Sequence, residues 1–300
     1  MGSLAFFREM FYSIFNSKCR IKGGKNIMKY DLIALDLDGT TLNPQNTINP
    51  AVKQAAAWAR AQGVRIVIST GRIASEAAEF AEMLGTSDDL VCAGGATIYS
   101  LAQHAYTMRI SLPWDSAVRA AAVVERIGMV SMVYSGERIL ITPYDEMCFS
   151  RYKTNEGFHS NKKVVPSVAE YIANTHLSVD KMFCRSTDPF MLKNAREQIE
   201  KISGVRVMSS AEDNIEVISP EADKGRALEN LCKQYGISLE RCIAIGDSEN
   251  DLEMLRAVGM PVAMGNANDA VKAVSQYITA TNVEDGVAKA IYHLLEKEVS

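Results

Sequence analysis

Cysteine, tryptophan and proline are sparse in this 300-residue chain, and no long apolar run occurs. The six cysteines, Cys19, Cys92, Cys148, Cys184, Cys232 and Cys242, show no C-x-x-C spacing. This argues against a zinc ribbon or a thioredoxin-like motif and fits scattered thiols in a reducing compartment. The longest uncharged stretch, 90–108, is broken by Gly94, Gly95, Thr97, Ser100, Gln103 and His104. No segment therefore reads as a bilayer span, which takes about 20 mostly apolar residues. An excess of either charge is also missing: 32 Lys and Arg face 36 Asp and Glu, a formal net charge of −4. Nucleic-acid binding ordinarily needs a basic surface, so no such partner is expected. What remains is 47% hydrophobic and 23% charged residues, the balance of a cytoplasmic globular protein long enough for about two domains.

The first 27 residues stand apart. Leu4, Phe7, Phe11, Ile14 and Phe15 recur at helical spacing, so 3–17 reads as an amphipathic helix. Arg8 and Glu9 interrupt its apolar stretch and no basic start precedes it, unlike a secretory signal. Gly2 follows Met1, but Phe6 stands where myristoylation needs Ser or Thr. Gly23-Gly24 reads as a linker, and Met28 opens a segment that makes a sensible start. One reading is an interfacial or partner-binding helix. The other, preferred here, is a dispensable extension from an upstream start.

From Tyr30 onward strand and helix signals alternate. An apolar run at 31–36 precedes a helix capped by Asn49-Pro50, running to Ala61 and closed by Gly63. A strand at 64–69, a helix over 73–84 and a short strand at 90–92 follow. This order predicts a Rossmann-like α/β core, a parallel sheet with helices on both faces. Between 97 and 218 the strands come in hairpin-like pairs, such as 129–134 with 138–142, and 181–184 precedes a helix at Asp188-Pro189. That reads as an inserted α+β unit. The parallel pattern resumes with a helix from Lys224 to about 234, a strand at 242–246 and a helix at 249–258. Strands at 262–264 and 277–279 and a helix over 286–297 follow. The expected division is an extension 1–27, a discontinuous core 28–109 and 213–300, and an inserted domain 110–212.

Four segments carry chemistry, each where a strand gives way to a helix. In Asp36-Leu37-Asp38-Gly39-Thr40, a buried strand ends in two carboxylates that strand periodicity sends to one side. Open α/β sheets bind ligands at such strand ends. Converging carboxylates repel unless a cation or a shared proton relieves them, and magnesium suits oxygen ligands. One carboxylate is then placed to attack phosphorus and the other to move a proton. The plain alternative is a polar Asp-Gly turn. Ser69-Thr70-Gly71-Arg72 offers a phosphate cradle or an ordinary helix cap. Lys224 is an ammonium able to neutralise phosphate and orient a carboxylate, or a solvated surface lysine. In Gly246-Asp247-Ser248-Glu249-Asn250-Asp251, Asp247 is placed to complete a metal site and Asn250 to bond phosphate. Asp251 can support the metal from outside or hold Lys224. The alternative there is an acidic helix start favoured by the macrodipole. One sheet can bring all four together, as a site for magnesium-dependent phosphoryl transfer through an aspartyl phosphate.

These residues carry a resemblance. Over about 29–297 the chain resembles the haloacid dehalogenase-like hydrolases, specifically the Cof-type phosphatases with a large α/β cap of the C2 type (subclass IIB). D-x-D-G-T is met by Asp36 to Thr40, and S/T-T-G-R by Ser69 to Arg72. The lysine after an E-I/V-x-P-like strand is met by Glu216-Val217 through Pro220 to Lys224. G-D-x-x-N-D is met by Gly246 to Asp251. The resemblance implies Asp36 as nucleophile and Asp38 as general acid/base. It implies Mg2+ held by Asp36, the backbone carbonyl of Asp38, and Asp247, with Ser248 beside them and Asp251 behind. It implies phosphate held by Thr70, Gly71, Asn250, the N–H of Leu37, and Lys224, which also serves catalysis. One departure is visible: relatives carry Asn-Gly-Ala where this chain has Gly94-Gly95-Ala96, so Gly94 replaces an asparagine near the mouth of the site. The cap, 110–212, would read the leaving group. Its candidates are Tyr134, Tyr144, Asp145, Arg151, Tyr152, His159, Lys181 and Arg185, each as readily a surface or core residue. His104, His176 and His293 show no ligand spacing and are taken as structural.

The expected activity is magnesium-dependent hydrolysis of a small phosphorylated metabolite by a monomer or homodimer. Sugar phosphates, nucleotides and cofactors such as flavin mononucleotide or pyridoxal phosphate fit the family. A phosphosugar mutase, which returns the phosphoryl group to substrate, is the enzymatic alternative. A non-catalytic regulatory module is opposed by the intact nucleophile, metal ligand and lysine.

Overall fold

The structure is a computed structural model that describes residues 29–149 and 156–296. The expected N-terminal helix, Arg151 and Tyr152 lie outside the described residues. Strand β1 (Leu32–Leu35) is apolar and buried at every position, which requires cover on both faces. The helices Pro50–Ala61 and Ala74–Leu84 alternate with β2 (Arg65–Ile68) and β3 (Leu90–Cys92), and β3 continues into an antiparallel set with β4 (Thr97–Ser100) and β5 (Ala105–Arg109). The inserted region contributes β6 (Val130–Ser135), β7 (Arg138–Ile141), β8 (Lys162–Val164), β9 (Lys181–Arg185), β10 (Arg206–Met208) and β11 (Asn214–Ile218). The chain ends with β12 (Cys242–Gly246), β13 (Met260–Ala263) and β14 (Tyr277–Ile278), interleaved with helices.

The first sheet is parallel, in the order β14-β13-β12-β1-β2. Its registers position the site. Leu35 of β1 pairs with Ile245 of β12 and with Ile68 of β2. The loops beginning at Asp36, Ser69 and Gly246 therefore leave one edge side by side. Strand β3 meets this sheet through the bridge from Ser69 to Val91, and its other edge pairs with β4.

The second sheet runs β10-β11-β9-β6-β7-β8 and is antiparallel except where β7 meets β8. The architecture is thus a parallel α/β core carrying a largely antiparallel cap region. Strand β11 pairs inside the cap sheet, although the expected boundary at 213 sets it with the core. An apolar run shows that a segment is a strand but not which sheet accepts it. Alternation then divides β9: Met182 and Cys184 are buried in the cap's own apolar interior, and Lys181, Phe183 and Arg185 take the opposite face.

Two local expectations need correction. Asn49 precedes the helix Pro50–Ala61 but does not cap it with its side chain. Its amide instead accepts from Asn43 at 2.7 Å and donates to Asp285 at 2.8 Å. The helix expected over 249–258 is a short 3-10 turn, Glu249–Asp251, followed by Leu252–Ala257. By contrast, the helix Lys224–Tyr235 starts and stops as read. Asp223 accepts from the Arg226 N–H at 2.7 Å, and Gly236 closes the helix at φ +67°. Among the described residues no helix is long and apolar enough to cross a membrane. The described cysteines are thiols, and the Cys232 and Cys242 sulfurs lie 3.6 Å apart.

Candidate active site

Lys224 is the pivot of the site. It has no exposed surface, and its Nζ lies 2.6 Å from both Asp36 Oδ1 and Asp251 Oδ1. The solvated-lysine alternative is therefore out; a buried ammonium requires such partners. Burial works against its charge, but the two carboxylates more than offset this and raise its pKa. Asp36 is pushed well above the usual carboxylate range, by burial first and then by repulsion from Asp251, Asp247 and Asp38, with Lys224 opposing. Asp247 is pushed up to about 7 by burial and by Asp251, against the Thr40 hydroxyl that donates to it at 2.7 Å.

Carboxylate oxygens of Asp36, Asp247 and Asp251 lie within 4.8 Å of one another. Such crowding, which favours protonation, is the setting in which a hard divalent cation binds oxygen ligands. Asp251 is already committed. One oxygen holds Lys224, and the other accepts the N–H groups of Asp247 and Ser248 at 3.0 and 3.2 Å. It braces the loop and the lysine together. Asp36 and Asp247 are the members of the cluster with a carboxylate oxygen to offer. The turn after β1 is pressed against Asp247 at Gly39. A Cβ there would lie 2.5 Å from Asp247 Oδ2, and φ is +81°, so only glycine allows the approach.

Asp38 sits two residues from Asp36 and is driven the other way. Its carboxylate is about half exposed and takes two parallel bonds from Arg72, at 2.9 Å from Nε and 2.6 Å from Nη2. Desolvation in the cleft raises its pKa, but Arg72, helped by Lys224 and Lys181, brings it below the usual value. The two carboxylates of one motif thus sit in opposed electrostatic settings.

The hydroxyls of Ser69 and Thr70 do not cap the following helix, which opens at Ala74 after Ile73. Thr70 is fully buried, and its Oγ1 accepts the Arg72 N–H at 3.2 Å. Ser69 Oγ is buried with no hydrogen-bond partner. Leu37 is also fully buried. Asp36, Asp38, Gly71, Ser248 and Asn250 line one cleft of about 710 Å³. Ser248 Oγ donates to Asn250 Oδ1 at 3.1 Å.

The cap supplies the cleft's other wall. Tyr134, Lys181 and Arg185 reach it as expected. Tyr144 is an exposed helix residue instead. Asp145 is buried and braces its own turn, accepting the N–H groups of Ser131 and Thr142 at 2.8 Å each. His159 is exposed, edge-on to Phe158. His176 stacks on Trp114 and His293 on Tyr277, both packing roles. Residues not anticipated are Met132, Phe183 and Asp213 on the cap wall, and Glu216, which the motif uses only as a marker for Lys224. The signal for Phe183 was its place between Lys181 and Arg185 in an alternating strand. Lys181 crosses to the core: its Nζ donates to the Gly71 carbonyl at 2.8 Å and pairs with Glu216 at 2.9 Å, both side chains nearly wholly buried. Gly94 lies below at φ +70°, and a Cβ on it would be 3.8 Å from Glu216 Oε2.

Comparison with known proteins points one way. The model of the family described as haloacid dehalogenase-like hydrolase matches residues 33–291. The chain is 34% identical over 264 residues to 5-amino-6-(5-phospho-D-ribitylamino)uracil phosphatase YcsE of Bacillus subtilis (strain 168), covering 87% of this chain and 94% of that protein. It is 28% identical over 278 residues to pyridoxal phosphate phosphatase YbhA of Escherichia coli (strain K12), covering 88% and 98%. A solved haloacid dehalogenase-like hydrolase from B. subtilis superposes with a TM-score of 0.78 at 28% identity, covering 88% of this chain and 100% of that one.

Proposed function

The chain belongs to the haloacid dehalogenase-like hydrolases, and from that premise we propose that it hydrolyses small phosphorylated metabolites with Mg2+, through an aspartyl phosphate on Asp36. The carrying observation is the buried contact of Lys224 with Asp36 and Asp251 at the sheet edge. Lys224 fixes one oxygen of Asp36 and leaves the other to meet an electrophile.

In this reading Asp36 Oδ2 attacks phosphorus, the bond to the ester oxygen breaks, and Asp38 gives the departing alkoxide its proton. Water then attacks the aspartyl phosphate while Asp38 takes a proton back, and inorganic phosphate leaves with Asp36 restored. Arg72 holds Asp38 as a carboxylate, the form needed for the second half-reaction. To serve as the acid of the first half, Asp38 has to leave that guanidinium and gain a proton. Lys224, Asn250, Thr70, Gly71 and the N–H of Leu37 would hold the phosphoryl oxygens. Asp36, Asp247 and the Asp38 carbonyl, with Ser248 adjacent, would hold the cation, whose charge lets an anionic nucleophile approach an anionic ester. The named relatives act on a ribitylaminouracil phosphate and on pyridoxal phosphate, and metabolites of that size suit the cleft.

The test is phosphate release from a panel of phosphorylated sugars, nucleotides and cofactors, with Mg2+, beside Asp36→Asn. Release by the native protein and none by the variant is expected. Turnover retained by Asp36→Asn overturns the covalent route, and full activity in excess chelator overturns the metal requirement.

A further inference from the structure

Resting on the phosphatase reading, we propose that Glu137 is a positioning residue of the reaction: from the cap it caps a helix of the core, and so seats the cap wall over the site.

The core helix Ala74–Leu84 begins without a side-chain cap of its own. Ile73 stands where Ser, Thr, Asp or Asn would accept a first-turn N–H, and its side chain cannot. Glu76 turns back to accept the Ile73 N–H at 3.5 Å. The Ser75 N–H comes too early in the helix to find an acceptor within it. It donates instead to Glu137 Oε2 at 2.9 Å, from 62 residues further along the chain, in the turn between β6 and β7. A carboxylate there satisfies the orphan donor and also answers the positive end of the helix. Its other oxygen accepts the Tyr106 hydroxyl of β5. Both oxygens of this cap residue are therefore held by the core. Asn161, also of the cap, adds a bond to Ser75 Oγ at 3.1 Å.

The turn is fixed from behind as well. The Gly136 N–H donates to Asp180 at 2.7 Å. Asp180 is buried and also accepts from Arg109 at 2.8 Å and from Ser111 at 2.7 Å. Ser111 lies where the chain crosses from core to cap. The Ile110 N–H bonds the core carbonyl of Ala96, and the Leu112 N–H bonds the cap carbonyl of Val179. Asp180 thus ties the crossing to the turn that carries Glu137, so the reach of Glu137 to Ser75 follows how the cap is seated.

Both ends of the contact run into the cleft. Arg72, which holds Asp38, lies three residues before Ser75. Phe80 of the same helix lies under that guanidinium, 5.2 Å away at the ring centre. On the cap side Glu137 follows β6, whose Met132 and Tyr134 stand on the cleft wall. Two other contacts across the seam, Arg196 with Glu249 and Arg206 with Glu253, both at 3.4 Å, are partly exposed ion pairs, a kind that holds weakly.

The test compares two phosphate donors in the native protein, Glu137→Ala and Glu137→Gln. One is acetyl phosphate, whose acetate is too small to reach the cap wall; the other is the metabolite of the panel above that is turned over best. The quantity read is kcat/KM for the metabolite divided by kcat/KM for acetyl phosphate. Misfolded protein lowers both alike and cancels, whereas an unseated cap lowers only the first. The ratio should fall about fivefold in Glu137→Ala, the size of a lost helix cap. Glu137→Gln keeps an acceptor for the Ser75 N–H and should recover most of it. Hydrogen exchange at the first turn of the helix, read by mass spectrometry, should quicken in Glu137→Ala and less in Glu137→Gln. A ratio in Glu137→Ala within about twofold of native, a Glu137→Gln variant as poor as the alanine one, or exchange that does not quicken overturns this inference and leaves the phosphatase reading standing. No phosphate release from any donor by the native protein sinks the phosphatase reading and this with it.

Discussion

On the core side of the cleft, Asp36, Asp38 and Asp247 leave adjacent strand ends, and each is held by a charged or hydroxyl partner. On the cap side, Met132, Phe183 and Glu216 come from three strands far apart in the chain and meet only through sheet register. The core invests buried charge in fixing a few oxygens. The cap exposes alternate residues of strands whose other face is its own apolar interior. The two walls are therefore free to change at different rates. A substitution at Phe183 reshapes the cleft wall and leaves Met182 and Cys184 in place, whereas almost any change at Lys224 strands two carboxylates.

The comparison can be broken most directly from the core side. Asp36→Asn should keep the fold and lower turnover by roughly 10⁴-fold or more, read by phosphate release alongside circular dichroism. Lys224→Met should cost about 3–5 kcal/mol by leaving Asp36 and Asp251 buried without their cation. Urea unfolding measures this, and an unchanged midpoint would mean the buried triple is not what holds the loops. Arg72→Gln removes what depresses Asp38, so the alkaline limb of the kcat/KM profile, which needs Asp38 to carry the proton for the leaving group, should move to higher pH; a limb that stays put would separate Arg72 from the acid/base role.

Smaller effects sharpen the contrast. Asp36 and Asp247 bind protons more tightly folded than unfolded, where an aspartate titrates near ~3.9. The chelated protein should accordingly lose stability as pH rises from about 4 through 7. Thermal melts in chelator should show that slope, and Mg2+ should flatten it. The cap offers the mildest case. Replacing both Lys181 and Glu216 by Met should change stability by no more than about 1 kcal/mol in either direction, since apolar pairs replace buried ion pairs at little cost. A large loss in the melt would make that pair a structural anchor instead.

The grouping of the core residues was legible because each of their segments is contiguous: Asp36-Leu37-Asp38 and Gly246 to Asp251 carry their spacing along the chain. The cap wall was not, because the neighbours of Phe183 are set by pairing with β6 and β11, and no linear spacing encodes a register between distant strands. Tyr144 and Asp145 illustrate the same limit. The helix Pro143–Phe149 turns one out to solvent and the other back into its own turn, a choice set by the backbone rather than by residue type. The sheet that takes β11 has this origin too: it reads as a strand on either side of the boundary expected at 213. Gly94 was visible as a departure, but its meaning depends on Glu216 lying above it.

The contact between Lys181 and Gly71 has a consequence for the timing of each turnover. Lys181 and Glu216 sit on neighbouring strands of one sheet, so a cap that lifts to discharge product carries both charges with it. The ammonium is never bared to solvent without its counter-charge. What parts at this one contact is a hydrogen bond to a carbonyl, worth about 0.5–1.5 kcal/mol, while the rest of the seam is held by pairs such as the Ser75 N–H on Glu137 at 2.9 Å and Asn161 on Ser75 at 3.1 Å. Here the gate travels with its own ballast, so the buried ammonium adds little to what opening costs.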